Sequence, residues 1–261
     1  MYRQAAVAGT FYPADADSVN AFISKHELDV IKEEATCVLV PHAGYIYSGA
    51  TAVHTLSSIN IPNLVILIGP NHTGTGPSVS VFPGGEWQTP LGYVFHDSDT
   101  IEKICKHPLF TKDASAHREE HSLEVIFPML KYFNPDVKVV CITSKYLHID
   151  EIKEAAQHLV ACIDDALVLI SSDFNHFEDV STTELKDKAA IDKLLALDSI
   201  GLYETVSEMK ISMCGVVPAC IGVEYSKAKG ALEPIVVEHT HSGLVNGDNN
   251  RVVGYCGLYY K

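Results

Sequence analysis

Residues 171 to 176 read SSDFNH directly behind the apolar run ALVLI, so two hydroxyls, a carboxylate, an amide and an imidazole follow aliphatic side chains without a break. A buried strand has no use for such groups at its end, whereas a reactive site does. Two other apolar runs end in the same way: CVLV (37–40) leads into PHAGY with His42, and LVILI (64–68) into GPNHTG with His72. Ligands of an open α/β sheet bind beyond the carboxyl ends of its strands, which puts His42, His72, Asp173 and His176 on one predicted edge. With 13 histidines in the chain, a single one in a strand-end loop is commonly an ordinary hydrogen-bonded group. Three arriving at one edge call for a shared purpose.

Imidazoles gathered beside a carboxylate suit a metal ion. Imidazole ligates Fe, Zn, Cu and Ni, and two histidines with one anionic ligand and open positions form the pattern of non-heme Fe(II) oxygenases. Two nucleophilic readings stand beside it: Ser/His/Asp hydrolysis through Ser171 or Ser172, and a thiol nucleophile at Cys214 in MCGVVP. Neither serine sits in a GxSxG elbow, and Cys214 is equally readable as a packed thiol. Asp173 and His176 are spaced to lie side by side in a turn, the carboxylate orienting the imidazole for proton transfer. The competing role for Asp173 is to cap that turn.

These residues need a frame that brings strand ends together. CVLV, LVILI, VKVVCI (137–142) and ALVLI (166–170) are continuous apolar runs suited to strands buried on both faces of a parallel sheet. Helical stripes alternate with them. Val19, Phe22 and Ile23 follow a cap at Asp15 or Asp17; Leu123, Ile126, Phe127 and Leu130 form a second stripe, weakened by Pro128. A third, Ile152 to Ile163, lies behind Asp150, and a fourth runs through Leu185, Ile191, Leu194 and Leu195. Residues 78–95 and the tail from 233 read as antiparallel strands joined by Gly/Pro turns that extend the sheet. The predicted fold is a single α/β domain over residues 1–261, a mostly parallel central sheet flanked by helices with antiparallel additions.

Bulk properties narrow the partners. A formal net charge of −14 repels phosphate backbones and anionic lipid heads, which argues against nucleic acid and membrane surfaces. No basic-then-apolar leader opens the chain and no apolar run reaches the ~18 residues of a membrane span, so a cytoplasmic protein is expected. Seven scattered cysteines without a CxxC pair point to reduced thiols, not to a disulfide framework.

Taken together, PHAGYIYSG, GPNHTG, EEHSLE, SSDFNH and MCG, in this order and from AGTFYP to the closing YCGLYY, resemble the Memo family, whose bacterial and archaeal members include the AmmeMemoRadiSam system protein B. The resemblance implies a fold related to class III extradiol dioxygenases and a mononuclear metal site. On the matching motifs His42, His72 and Cys214 fall at the metal ligands, with Fe(II) the first choice and Cu or Zn as alternatives. It places Asp173, His176 and His121 beside the metal as proton-moving or steering groups, with Glu124 supporting His121. A thiol stands where the extradiol enzymes use a carboxylate, so dioxygenase activity does not transfer on the motifs alone. Two functions follow as expectations: a non-heme iron oxidoreductase acting on a small-molecule substrate with O₂, or a non-catalytic metal- or peptide-binding protein that reuses the pocket. The resemblance also implies radical SAM and AMMECR1-domain partner proteins. Phe11, Tyr12, Tyr45 and Tyr47 either line a pocket or pack as ordinary aromatics.

Overall fold

The four apolar runs form the spine of the sheet because their side chains are needed on both faces. In the computed structural model, which describes residues 1–261, they become β2 (Cys37–Val40), β3 (Leu64–Pro70), β8 (Lys138–Ser144) and β9 (Leu167–Ser171), neighbours in the order β8-β3-β9-β2. All three pairings are parallel: Ile66 lies opposite Val140 and Val168, and Val38 opposite Leu169. Alternate residues enter opposite layers. Leu39, Ile66, Ile68, Val140 and Ile170 join one buried cluster, while Val38, Val65, Leu67, Val139 and Leu169 join the other. A run with both faces covered by helices has no solvent side to mark with polar residues, hence its unbroken apolar character.

The antiparallel additions fall where the turn signals put them. Strands β4 (Val79–Val81), β5 (Glu86–Thr89) and β6 (Gly92–His96) extend the β8 side. β5 and β6 form an antiparallel hairpin, and β4 lies antiparallel to β8; β6 itself runs parallel to β8. The short β1 (Tyr2–Arg3) edges β5, and β7 (Thr111–Lys112) edges β4. On the other side β10 (His176–Glu178) and β11 (Pro234–His241) pair antiparallel with β12 (Val252–Tyr260), which in turn pairs with β2.

Helices α1 (Ala16–His26), α2 (Ala50–Ser57) and α4 (Phe127–Phe133) bury Val19, Leu56 and Phe127 in one layer. The other receives Ile101 of α3 (Ser98–Ile104), Ile152 of α5 (Ile149–Cys162), Ala190 of α6 (Val180–Leu195), Leu202 of α7 (Ser199–Glu208) and Ile221 of α8 (Val216–Lys229). A last short helix is α9 (Gly243–Asn246), and no helix is long and apolar enough to cross a membrane. Asp15 caps α1 by accepting from Ser18 N–H at 2.9 Å.

Three expectations change. Pro128 does not break its helix but starts it: a 3-10 turn at Glu124–Ile126 leads into α4, where the proline occupies the first turn and loses no internal hydrogen bond. α5 starts behind His148, whose backbone N–H is held by the Glu151 carboxylate at 2.8 Å, and Asp150 lies inside the first turn. Leu185 and Leu195 point outward at 62% and 38% exposure, and the buried stripe of α6 instead includes Thr183, Asp187 and Ala190. All seven cysteines are free, as expected.

Under the β5–β6 hairpin the imidazoles of His96 and His117 are buried with Phe82 and Trp87, while the Arg3 guanidinium lies 4.1 Å over the Trp87 ring. Burial pushes His96 down to about 3 and His117 to about 4 from the ordinary 6.5, their bonds to the carbonyls of Gly85 and Ser80 opposing only partly. Both are neutral in the folded chain, so the unfolded chain binds more protons below 6.5 and stability falls as pH falls from 6.5 toward those values. Urea unfolding at about pH 7 and about pH 5 is expected to differ by about 2 kcal/mol for each histidine. A midpoint unchanged between the two would contradict neutral burial.

Candidate metal centre

Strand β2 ends in PHAG, β3 in GPNH and β9 in SSDF, all on the carboxyl edge of the sheet. His42 is 1% exposed. Its Nδ1 lies 2.7 Å from Ser171 Oγ, and that hydroxyl donates its only proton to the Ser122 carbonyl at 2.6 Å. The imidazole must therefore be the donor in the first contact, which leaves the lone pair on Nε2. His72 reaches the same state by another route. Its Nδ1 faces Glu120 Oε1 at 2.8 Å, and a carboxylate accepts, so in the neutral ring the lone pair falls on Nε2.

Glu120 is wholly buried and takes two further bonds, from His72 N–H at 2.6 Å and Ser122 N–H at 3.0 Å. Burial alone would raise its carboxyl. The bonds and charge from His72 and the Ser122 amide outweigh that and hold it at about 2. Gly69 makes this approach feasible, since a Cβ there would lie 2.7 Å from Leu123 and 3.0 Å from Ser122 Oγ.

Cys214 arrives from the loop before α8. Its Sγ lies 3.4 Å from His42 Nε2 and accepts from Asp173 N–H at 3.3 Å. Gly215 lets the chain turn there, because a Cβ would come within 2.5 Å of Ser172 Cβ. The ligand atoms of His42, His72 and Cys214 all lie within 4.8 Å of one another, close enough to share an ion. Burial, then the charge of Asp173, pushes the thiol up; burial, then the neighbouring imidazoles, pushes His42 well down. The pocket disfavours a thiolate without a cation and keeps His42 neutral, as a ligand must be. His72, Glu120 and His121 also meet the spacing, but the Glu120 oxygens already serve three N–H groups.

Asp173 does not pair with His176 as the spacing suggested. Its carboxylate accepts from His42 N–H at 2.8 Å, tying SSDF to PHAG, and burial raises its pKa despite that bond. Nor does it cap the following turn, whose Asn175 and His176 N–H groups go to Asp187 and Ser212. His176 is oriented instead by Ser212, whose carbonyl accepts from Nδ1 at 2.8 Å and whose hydroxyl accepts from the His176 N–H at 2.7 Å. A register shift in β10 and a left-handed Phe177 (φ 62) accompany this orientation. His121 stacks on His72 with centroids 4.7 Å apart and packs against Phe11.

Glu124 departs from its expected role. It accepts from Arg3, from the Ala6 and Val7 amides and from the Tyr12 hydroxyl, strapping the first dozen residues under the site, and makes no bond to His121. Glu120, one of two carboxylates heading EEHSLE, is the positioning group. Phe11, Tyr12 and Tyr45 line a separate cavity of about 380 Å³, Tyr45 packing there against Phe22 and Tyr12, whereas Tyr47 is 38% exposed. The serine-hydrolase reading loses its nucleophile, since Ser171 and Ser172 are fully buried and engaged in holding His42 and Gly215.

Fold and edge define the class: a single-domain α/β protein that gathers two imidazoles and a thiol from three chain-distant loops. A family model described as Memo-like protein matches residues 3–259, and the chain belongs to that family. A MEMO1 family protein of Aquifex aeolicus is 40% identical over 265 residues, covering 99% of this chain and 98% of its own. One from Ignicoccus hospitalis is 40% identical over 284 residues, covering 100% and 99%. The solved structure of the uncharacterized protein JW3007 from Escherichia coli K12 shares the fold at TM-score 0.54 and 11% identity, over 85% of this chain and 99% of that one.

Replacing Glu120 by alanine strands the His72 ring N–H and two amides. Urea unfolding is expected to show a loss of roughly 1–3 kcal/mol, with metal affinity reduced about 10- to 100-fold. Wild-type values for both would remove Glu120 from the positioning role.

Proposed function

We propose that this chain is a non-heme iron oxidoreductase of dioxygenase-like type, with His42, His72 and Cys214 as ligands to Fe(II) and a small molecule and O₂ as substrates. The observation that carries it is the convergence of two imidazoles, each with its Nδ1 held by another partner, and one sulfur. Soft sulfur beside imidazole favours Fe, Cu or Zn over Mg or Ca. Iron bound there supplies one-electron chemistry and open coordination positions.

The chain's own residues supply the rest. With Nδ1–H donated to the Ser212 carbonyl, His176 keeps a bare Nε2 that takes up a substrate proton. Asp173, whose carboxylate accepts from the His42 N–H, holds the SSDF loop against PHAG. His121, stacked on His72 and backed by Phe11, steers substrate.

Protein purified anaerobically and loaded with Fe(II) is expected to hold about one iron per chain and to give a nitric oxide adduct visible by EPR. His72→Ala and Cys214→Ala should each lose the iron, and full stoichiometry in His72→Ala would refute the ligand set. Oxygen uptake that requires both iron and an added substrate supports the enzyme. Tight iron binding with no uptake across a substrate panel favours the metal-binding protein instead.

A further inference from the structure

A cavity of about 550 Å³ opens beside the strand-edge cluster, with His72 and Cys214 in its wall. Its lining includes one fixed charge, Lys145, and no carboxylate, although acidic residues outnumber basic ones 33 to 19 in the chain. The Lys145 ammonium donates to the neutral Gly76 carbonyl at 2.6 Å, which leaves its charge uncancelled by that partner. Helix α8 begins in the same wall at Val216, Val217 and Pro218. No side chain caps it, and the Val216 and Val217 N–H groups find no carbonyl. The positive pole of a 14-residue helix is thus open to the cavity.

Ser144, at the end of β8, is an independent indication. It lines the cavity, is 3% exposed, and its Oγ has no hydrogen-bond partner. A buried hydroxyl without a partner costs stability unless a ligand supplies one. Tyr146 and Tyr203, with centroids 6.1 Å apart, form an aromatic flank. We infer that the cavity binds a carboxylate carried on a flat apolar body, an aryl carboxylate. The anion is held by Lys145, Ser144 and the α8 amides, and the ring lies against the tyrosines. The inference rests on the proposed function only in treating this cavity as the substrate's.

Isothermal titration calorimetry of the full chain with benzoate, benzyl alcohol and benzylamine tests it, in chelator-stripped protein and again after zinc loading. Benzoate should bind in both states about tenfold or more tighter than the other two, and Lys145→Met or Ser144→Ala should each remove most of that advantage. Equal affinity for the three probes, or benzoate binding indifferent to both substitutions, overturns the carboxylate site. If zinc still binds in that case, the metal reading stands. Lys145-dependent benzoate binding in protein that takes up no zinc upholds the carboxylate site and sinks the metal reading.

Discussion

The centre depends on where two protons sit. An imidazole offers a lone pair on one nitrogen only when the other carries hydrogen, and both rings here have that hydrogen committed at Nδ1, to Ser171 Oγ and to Glu120. The two commitments are themselves anchored. Ser171 is fixed by the Ser122 carbonyl, and Glu120 by the Ser122 amide, so one short segment between β7 and α4 sets the tautomer of both histidines. The parallel sheet supplies the remaining constraint, because it brings the ends of β2, β3 and β9 to one edge.

Electrostatics separates this edge from the rest of the molecule. The chain carries a net charge of −14, yet the acids near the centre are turned to internal tasks: Glu120 to His72, Asp173 to the His42 amide, Glu124 to Arg3. What faces the cavity is His72, Cys214, the Lys145 side chain and the first residues of α8. A field of that sign attracts anions locally although the whole molecule repels them at long range.

Much of this was legible from residue order. Apolar runs followed at once by His42, His72 and SSDFNH announced both the sheet and the edge at which these residues gather, since a strand end is where a buried run and polar groups adjoin. The roles of Glu120 and Glu124 were not, because two acids four apart look alike until partners 48 and 121 residues away choose between them. α8 left little periodic trace, being buried round most of its circumference from Val217 to Ser226. The local spacing of Asp173 and His176 misled for a related reason: His42 and Ser212, remote in sequence, out-competed the neighbour.

The central claim is that one sulfur and two imidazole nitrogens, drawn from loops far apart in the chain, surround a single ion. X-ray absorption at the zinc edge, with zinc as a redox-silent occupant, reads that ligand count directly. One sulfur scatterer at about 2.3 Å is expected together with imidazole nitrogens at about 2.0–2.1 Å, the sulfur vanishing in Cys214→Ser. A shell of nitrogen and oxygen alone in the wild-type protein would contradict it.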